Sequence, residues 1–372
     1  MSKTQQSYMY SSFLLMFIIH DAQIGVGLPG YQRIVFGMAG HDAWISALIA
    51  GFVTQLVVWL MIKTLMKFEN KDLYDIHLLI YGKTIGHVAN IIYLVYFLVA
   101  TIIVLRNYVE MIQVWLFPNA PQWLLSLLIA SVVFYGVNGG LRTIVGSCVM
   151  FVIITVWLLF LLYFPLRYAE WTGVLPIMET DLKHLSRGVL SMSFTMAGFE
   201  IVYFIYAYAK DKSKVQRYTQ LGIMSVTFVY TAVMFVSIVF FSGGELLKTD
   251  WATFTMLKII KFPFLERFEY IGVSLWLLVI LPNLLMYSWA ATKGLKRTFS
   301  WKQKYWLYIF IAVVWMASSF IDSRTQVDQM NNIFAKWAVY IVYVYPVILF
   351  GMVHFYLWRQ KKGRQPDPEV IT

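Results

Sequence analysis

The chain has 372 residues, of which 60% are hydrophobic and only 13% are charged. Soluble domains carry roughly 25% charged residues, so this composition excludes a soluble globular protein and indicates an integral membrane protein in a lipid bilayer. The formal net charge of +11 does not indicate nucleic-acid binding, because the basic residues stand in short clusters between long apolar runs.

About ten apolar runs approach or exceed the roughly 20 residues needed to cross the hydrocarbon core. In chain order they cover 10–36 (interrupted at 25–30), 43–66, 85–116, 123–137, 143–164, 188–209 (interrupted near 197–198), 218–241, 264–292, 306–320 and 332–357. A polar, amphipathic stretch at 167–187 separates the fifth run from the sixth. The sequence therefore predicts one all-α transmembrane domain that occupies 1–372, and the first run is expected to be a retained helix instead of a cleaved signal peptide.

The Lys and Arg residues predict the orientation of these helices. With the N-terminus inside, the even-numbered connections and the two chain ends carry most of the 30 basic residues. The 117–122 connection, on the opposite side, contains no Lys or Arg. Because cytoplasmic loops are enriched in basic residues, both termini are expected in the cytoplasm.

The ten runs form two groups of five with a common pattern. The first helix of each group is interrupted by glycine at membrane depth, and the third helix of each group is unusually long. An odd number of helices per group makes the repeats inverted, at approximately 8–165 and 185–357, and matching interruptions indicate a binding site at the bilayer midplane. Glycines also serve as close-packing positions in membrane helices, and this alternative stays open above all for Gly198.

An interrupted helix leaves backbone groups without helical partners, which lipid tolerates only where they line a cavity. The half-helix that begins near Gly27 is expected to present free N–H groups and a positive dipole end to a carboxylate. The half-helix that ends near Met196 is expected to present free carbonyl groups to an ammonium ion or cation. Together these ends predict a site for a zwitterionic amino acid.

Ionisable residues within membrane spans are functional candidates. His20 and Asp21 precede the first interruption, where they can bind a cation, take up a proton, hold the unwound segment, or simply satisfy each other. Glu200 follows the second interruption, as a cap of the outgoing half-helix, a gating group or both. Tyr96, midway along the third helix, can offer a hydroxyl to the cavity or only pack.

Further charges lie towards the outer side of the two long helices. Arg106 and Glu110 stand four residues apart on the third helix and share a face, so they are expected to pair. Glu266, Arg267 and Glu269 open the eighth helix. These charges predict either a cluster that links the two helices at the outer mouth or a set of structural ion pairs.

No catalytic or nucleotide-binding motif occurs, so the chain is not expected to be an enzyme, and no cofactor is predicted. Cys148 is the single cysteine, which excludes an intrachain disulfide and a cysteine-based metal site. No metal site is predicted. The fifth run, 143–164, contains no Lys and no acidic residue.

Five stretches resemble one known family. They are Ile24-Gly25-Val26-Gly27, Asp42-Ala43-Trp44-Ile45, Arg106 to Met111, Gly198-Phe199-Glu200-Ile201, and Phe264-Leu265-Glu266-Arg267-Phe268-Glu269. Over nearly its whole length the chain resembles the spore germination permease family, the B subunits of spore germinant receptors. That family belongs to the amino acid–polyamine–organocation superfamily, whose LeuT-like fold has five-plus-five inverted repeats with broken helices 1 and 6.

The resemblance implies nutrient sensing in the inner membrane of a bacterial spore, beside a larger membrane subunit and a lipoprotein subunit. It implies that ligand contacts are made by one set of residues: Gly25, Val26, Gly27, Tyr96, Met196, Ala197, Gly198 and Phe199. The alternative function is an amino-acid or cation symporter, and a third is a scaffold that binds no ligand. Pro29 lies earlier in the first broken helix than in many relatives. The proton-coupling lysine that some transporters carry on the fifth helix is absent.

Overall fold

Ten spans, α1 to α10, follow one another through residues 9–261 and 267–362, which the computed structural model describes. Two of them are broken, α1 (Leu15–Gln23 and Tyr31–Ala39) and α6 (Leu182–Thr195 and Phe199–Tyr208). The others are α2 (Ala43–Leu65), α3 (Leu73–Trp115), α4 (Gln122–Asn138), α5 (Leu141–Leu166), α7 (Lys212–Phe240), α8 (Phe268–Phe299), α9 (Gln303–Ser319) and α10 (Arg324–Gln360). The predicted all-α membrane fold, with its first and sixth spans interrupted, is confirmed.

Length and composition separate these spans into classes. In the described part of the chain, six helices are long and apolar enough to cross a membrane, and the two halves of α6 form a seventh span bent by 52°. The first half of α1 and all of α4 are shorter apolar helices. The isolated bridge between Tyr10 and Ala209 joins the start of α1 to the end of α6.

Side-chain caps set several helix boundaries that the apolar pattern missed. Ser323 and Gln326 form a reciprocal capping box, so α10 begins at Arg324, before the apolar run predicted from 332. α3 begins at Leu73, where Asp72 accepts a hydrogen bond from the Asp75 N–H. Polar residues in these first turns hid both helix starts from a search for apolar runs.

Gly82 bends α3 near its start. Its φ of 76° lies in the left-handed region, which glycine adopts without strain. The bend folds Leu73–Tyr81 back onto the next turn, so closely that a Cβ on Gly86 would lie 2.8 Å from the His77 carbonyl oxygen. The predicted long third helix therefore consists of a short first segment before Gly82 and a long second segment after it.

The spans pack in two groups. α1, α2, α6 and α7 contact one another, and the second half of α1 lies against the first half of α6. α3, α4, α8 and α9 form the other group, in which α8 lies along α3. α10 contacts both groups, through α2 and α3. The interruptions of α1 and α6 therefore face the boundary between the groups.

Candidate ligand-binding site

The interruption of α1 leaves three N–H groups unpaired. Hydrogen bonds among the described residues resume at the Leu28 N–H, which donates to the Gly25 carbonyl at 3.3 Å, and they do not use the N–H groups of Gly25, Val26 or Gly27. These three residues are half-buried. A Cβ on Gly27 would lie 2.9 Å from Cγ2 of Thr195, so this backbone approaches α6 more closely than a side chain allows.

Gly198 brings the interruption of α6 against that of α1. Its φ is 122°, a value that residues with a side chain rarely adopt. A Cβ at this position would lie only 1.8 Å from the Ala22 carbonyl oxygen. Gly198 thus both breaks α6 and allows close packing, so the two explanations for this glycine hold together.

Protein donors lie against the carbonyl groups at the end of the first half of α6. Gln23 Nε2 donates to the Met196 carbonyl at 2.7 Å. The Tyr230 hydroxyl of α7 lies 3.1 Å from the Thr195 carbonyl oxygen and 3.0 Å from that of Gln23. The Met196 carbonyl, predicted to be free for an ammonium ion, is therefore occupied by Gln23, and the single Tyr230 proton is donated to either the Thr195 or the Gln23 carbonyl.

A second donor serves the first half of α1. Asn283 of α8 donates from Nδ2 to the Asp21 carbonyl at 2.8 Å and to the Ile24 carbonyl at 3.1 Å. Asn283 is only 3% exposed. Its Oδ1 atom takes part in no hydrogen bond among the described residues, and the residue borders the main cavity.

Glu200 joins three spans at the cavity floor. Its Oε2 accepts a hydrogen bond from the Gly198 N–H at 2.7 Å, so the predicted capping contact is present. Its Oε1 accepts from Tyr96 of α3 at 2.7 Å and from Tyr287 of α8 at 3.1 Å. The residue is 0% exposed. Glu200 therefore fixes the break of α6 to both long helices instead of facing the cavity itself.

A cavity of about 800 Å³ lies above this floor, within the roughly 300–1,000 Å³ of small-molecule sites. Its lining includes Gly25, Val26, Gly27, Tyr96, Ala197, Asn283, Tyr287 and Phe334. Five of the predicted ligand contacts therefore border the cavity. Met196, Gly198 and Phe199 are buried and lie outside the lining.

The remaining predicted residues near the first interruption lie on the far side of α1. Asp21 and His20 border a separate cavity of about 80 Å³ whose walls are mainly leucine and valine. His20 Nδ1 lies 2.8 Å from the Ser225 hydroxyl. Among the described residues, no group of three or more His, Cys, Asp or Glu side chains could hold a metal ion.

Charged side chains lie at the mouth of the main cavity. Arg33 pairs with Asp250 at 2.9 Å, and Arg324 of α10 pairs with Glu110 at 2.7 Å. The guanidinium of Arg324 also lies over the Trp251 ring, 5.1 Å from its centroid. The mouth therefore carries both signs of charge, on side chains from α1, α3, α10 and the segment after α7.

The predicted pair on α3 is not among the ion pairs of the described residues. Arg106 Nε donates to the Ile321 carbonyl at 2.6 Å, whereas Glu110 turns to Arg324. Arg267 Nε lies 3.0 Å from Glu269 Oε1 at the start of α8, and Glu266 lies outside the described residues. Among the described residues, the charges of α3 are thus linked to α10 and its preceding loop, which agrees with the alternative of structural ion pairs more than with a cluster that joins α3 to α8.

The opposite end of the bundle is closed. Tyr10 exchanges backbone hydrogen bonds with the segment after α6, from its N–H to Tyr208 and from Lys210 to its carbonyl. Asp72 pairs with Lys293 at 2.7 Å and with Arg297 at 2.6 Å. We call Asp72, Asp75, Lys293 and Arg297 the Asp72 ion cluster. The main cavity therefore opens on the side away from the described chain ends.

Comparison with known proteins identifies the family. The family model described as "Spore germination protein" matches residues 10–327. The chain is 33% identical over 343 residues to spore germination protein GerQB of Bacillus cereus, covering 92% of this chain and 95% of that protein. The chain belongs to the spore germination permease family. This permease is also 23% identical over 367 residues to spore germination protein B2 of Bacillus subtilis (strain 168), covering 97% and 98% of the two chains.

A solved structure supports the fold of this spore germination permease. A Na⁺-coupled sialic acid symporter in a substrate-bound, outward-open state matches it with a TM-score of 0.60. The match covers 92% of this chain and 78% of that chain at 10% identity. At this identity the similarity establishes a transporter-type fold, which agrees with the predicted LeuT-like arrangement.

Four residues that organise the site were absent from the sequence-based prediction: Gln23, Tyr230, Asn283 and Tyr287. Each puts a polar group into a buried position between spans. The signal that could have found Asn283 is its position directly after Pro282, inside an otherwise apolar run. Tyrosine occurs 24 times in the chain, so composition alone could not single out Tyr230 or Tyr287.

Proposed function

We propose that this permease is the nutrient-sensing subunit of a spore germinant receptor and binds a small, amino-acid-like ligand between α1 and α6. The observation that carries this proposal is a set of three N–H groups, at Gly25, Val26 and Gly27, that have no partner among the described residues and lie beside a cavity of about 800 Å³. The N-terminus of a half-helix with free N–H groups favours a carboxylate. A turn at 28–30 leads from these residues into the half-helix that begins at Tyr31, whose first N–H donates to the Gly27 carbonyl, so the ligand's carboxylate lies against the N–H groups before that turn.

The ligand's ammonium group is recognised elsewhere than first predicted. Because Gln23 and Tyr230 lie against the carbonyl groups of α6, the available acceptors are the Asn283 Oδ1 atom and the hydroxyl oxygens of Tyr96 and Tyr287. All three residues border the cavity. The aromatic and aliphatic walls then contact the ligand's side chain, as in most small-molecule sites.

Signalling follows from a difference in affinity between two conformations. A ligand that binds one arrangement of α1 and α6 more tightly shifts the population towards it. The partner subunits, a larger membrane subunit and a lipoprotein, then respond to that arrangement. The Lys and Arg distribution supports cytoplasmic termini, and the family supports the spore inner membrane as the location.

Substitution of Gly25 by leucine tests the pocket. A Cβ at this position has ordinary contact with Asn283 Nδ2, at 3.5 Å, so the backbone tolerates it while the larger side chain covers the N–H groups. Spores that carry Gly25→Leu are expected to need at least a tenfold higher nutrient concentration for germination, because loss of one charged hydrogen bond costs roughly 1.5–3 kcal/mol.

The matched control is Gly146→Leu on α5, where a Cβ meets no atom within 4 Å and the residue is exposed. This variant is expected to germinate like the wild type. Nutrient-triggered germination of the Gly25→Leu spores at the wild-type concentration, with equal protein in the membrane, would show that the pocket is misplaced.

An amino-acid or cation symporter is the second candidate function. The cavity is open at one end and the Asp72 ion cluster closes the other, which is the arrangement that alternating access requires. Concentrative uptake of labelled amino acids by liposomes that contain this chain alone would favour it. Saturable ligand binding to the purified chain without uptake would favour the sensor and exclude a pure scaffold.

A further inference from the structure

The first half of α1 ends with two carbonyl groups that its own helix does not satisfy. In a continuous helix the Gly25 N–H would donate to the Asp21 carbonyl and the Leu28 N–H to the Ile24 carbonyl. Here the first of these bonds is not formed, and the Leu28 N–H donates to the Gly25 carbonyl instead. Buried carbonyl groups without donors are costly in a membrane. Both carbonyls instead accept hydrogen bonds from Asn283, so a single side chain of α8 satisfies the open end of α1.

Carbonyl groups of this kind are the usual ligands of the coupling cation in transporters with broken helices. The symporter that shares this fold is Na⁺-coupled. A cation at this position needs oxygen atoms directed towards it. Here the amide nitrogen of Asn283 lies 2.8 Å and 3.1 Å from the two carbonyl oxygens. An amide can face two acceptors only through its NH₂ group, so the site presents a donor where a cation requires an acceptor.

The two hydrogen bonds hold the amide in this position, and its neighbours leave room for it. Pro282 precedes it inside α8 and has no N–H of its own. Gly25 leaves the space beside the amide open, since a Cβ there would lie 3.5 Å from Nδ2. The Oδ1 atom remains available on the cavity side. Asn283 therefore connects the carbonyl end of α1 to the space in which a ligand lies.

We propose that Asn283 replaces the coupling cation in this permease, so that the break of α1 is stabilised without Na⁺ and ligand binding does not depend on Na⁺. The amide acts as a positioning group for α1. The statement about the ligand rests on the proposed function. The statement about Na⁺ concerns the chain alone, and it can be tested with the ion as the only probe.

The decisive measurement uses the full-length wild-type chain in lipid nanodiscs. Binding of ²²Na⁺ is measured at increasing Na⁺ concentration, and Tm is compared in NaCl and in choline chloride at equal ionic strength. No saturable ²²Na⁺ binding and equal Tm values in the two salts are expected. Saturable ²²Na⁺ binding, or a Tm that is higher in NaCl, would overturn the proposal.

Two substitutions at Asn283 test the role of the amide itself. Asn283→Ala removes both hydrogen bonds and is expected to lower Tm by about 2–4 °C for each kcal/mol lost; an unchanged Tm would show that the amide does not hold α1. Asn283→Asp exchanges the donor for oxygen acceptors and is expected to acquire a Na⁺-specific rise in Tm.

Asn107→Asp is the matched control, because the hydrogen bonds of the Asn107 amide to described residues go to Ile103 of its own helix and to Asn331, away from the break. It is expected to show no difference between the two salts. If Asn283→Asp does not fold, the wild-type ²²Na⁺ measurement decides, since it needs no substitution. A chain that shows no saturable ²²Na⁺ binding and also binds no nutrient would refute the proposed function but would agree with the inference about Na⁺.

Discussion

The tyrosine pair above Glu200 gives a prediction whose size can be worked from the structure. Tyr96 and Tyr287 both donate to the same oxygen, Oε1, at 2.7 Å and 3.1 Å. A hydrogen bond to a carboxylate contributes roughly 1.5–3 kcal/mol, and shorter bonds are stronger. Tyr96→Phe is therefore expected to lower the free energy of unfolding by about 1.5–3 kcal/mol, and Tyr287→Phe by less.

The double substitution is expected to cost more than the sum of the two single ones. Each single variant leaves Oε1 with one donor, whereas the double variant leaves a buried oxygen with none. An unsatisfied buried acceptor carries the full desolvation cost, about 1–3 kcal/mol and more for a charged group. The coupling between the two tyrosines is therefore expected to be destabilising, within the roughly 0.5–3 kcal/mol seen for residues that share a partner.

The assay is unfolding of the purified chain in nanodiscs, without nutrient, for the wild type, the two single variants and the double variant. Tyr203→Phe is the matched control, since Tyr203 is fully buried and its hydroxyl has no hydrogen-bond partner in the part of the chain that the structure describes. It is expected to be neutral or slightly stabilising. The role assigned to Glu200 would be refuted if the losses in free energy of unfolding for Tyr96→Phe and Tyr287→Phe simply add in the double variant. It would also be refuted if the double variant loses no more stability than Tyr203→Phe.

The remaining predictions concern the second break and the closed end. Gly198→Ala is expected to yield little folded protein, because the added Cβ would lie 1.8 Å from a carbonyl oxygen; normal yield, in parallel with Gly146→Ala, would contradict the close packing. Burial alone raises the pKa of Asp72, but the charges of Lys293 and Arg297 outweigh it and hold that pKa below its usual value. Its stabilisation is therefore present above about pH 4 and lost as the pH falls further. Tm measured from pH 7 to 3 should fall less steeply for Asp72→Asn than for the wild type.

The interruptions of α1 and α6 could be predicted because glycine and proline are conspicuous in apolar runs. A side chain would not fit at Gly27 or Gly198, because its Cβ would lie too close to the neighbouring span. Gly25 and Gly27 line the cavity. The free N–H groups of α1 followed from the break itself. These features are local, so the sequence order of residues was sufficient to locate them.

The partners of the broken ends could not be predicted, because they come from distant spans. Gln23 reaches α6, and Tyr230 and Asn283 reach α1 from α7 and α8. Spacing along α3 favoured a pair between Arg106 and Glu110, but the loop before α10 and Arg324 offered better-placed partners. Periodicity describes which residues share a helix face, and it does not reveal which other helix that face meets.

The Tyr230 hydroxyl has a consequence for communication within the bundle. It lies within hydrogen-bonding distance of the last carbonyl of the first half of α1 and the last carbonyl of the first half of α6. A displacement of either half-helix relative to α7 therefore changes the energy of a contact made by the other. If a ligand binds as proposed, contact with one half-helix would act on both through this single oxygen atom, without a longer relay of side chains.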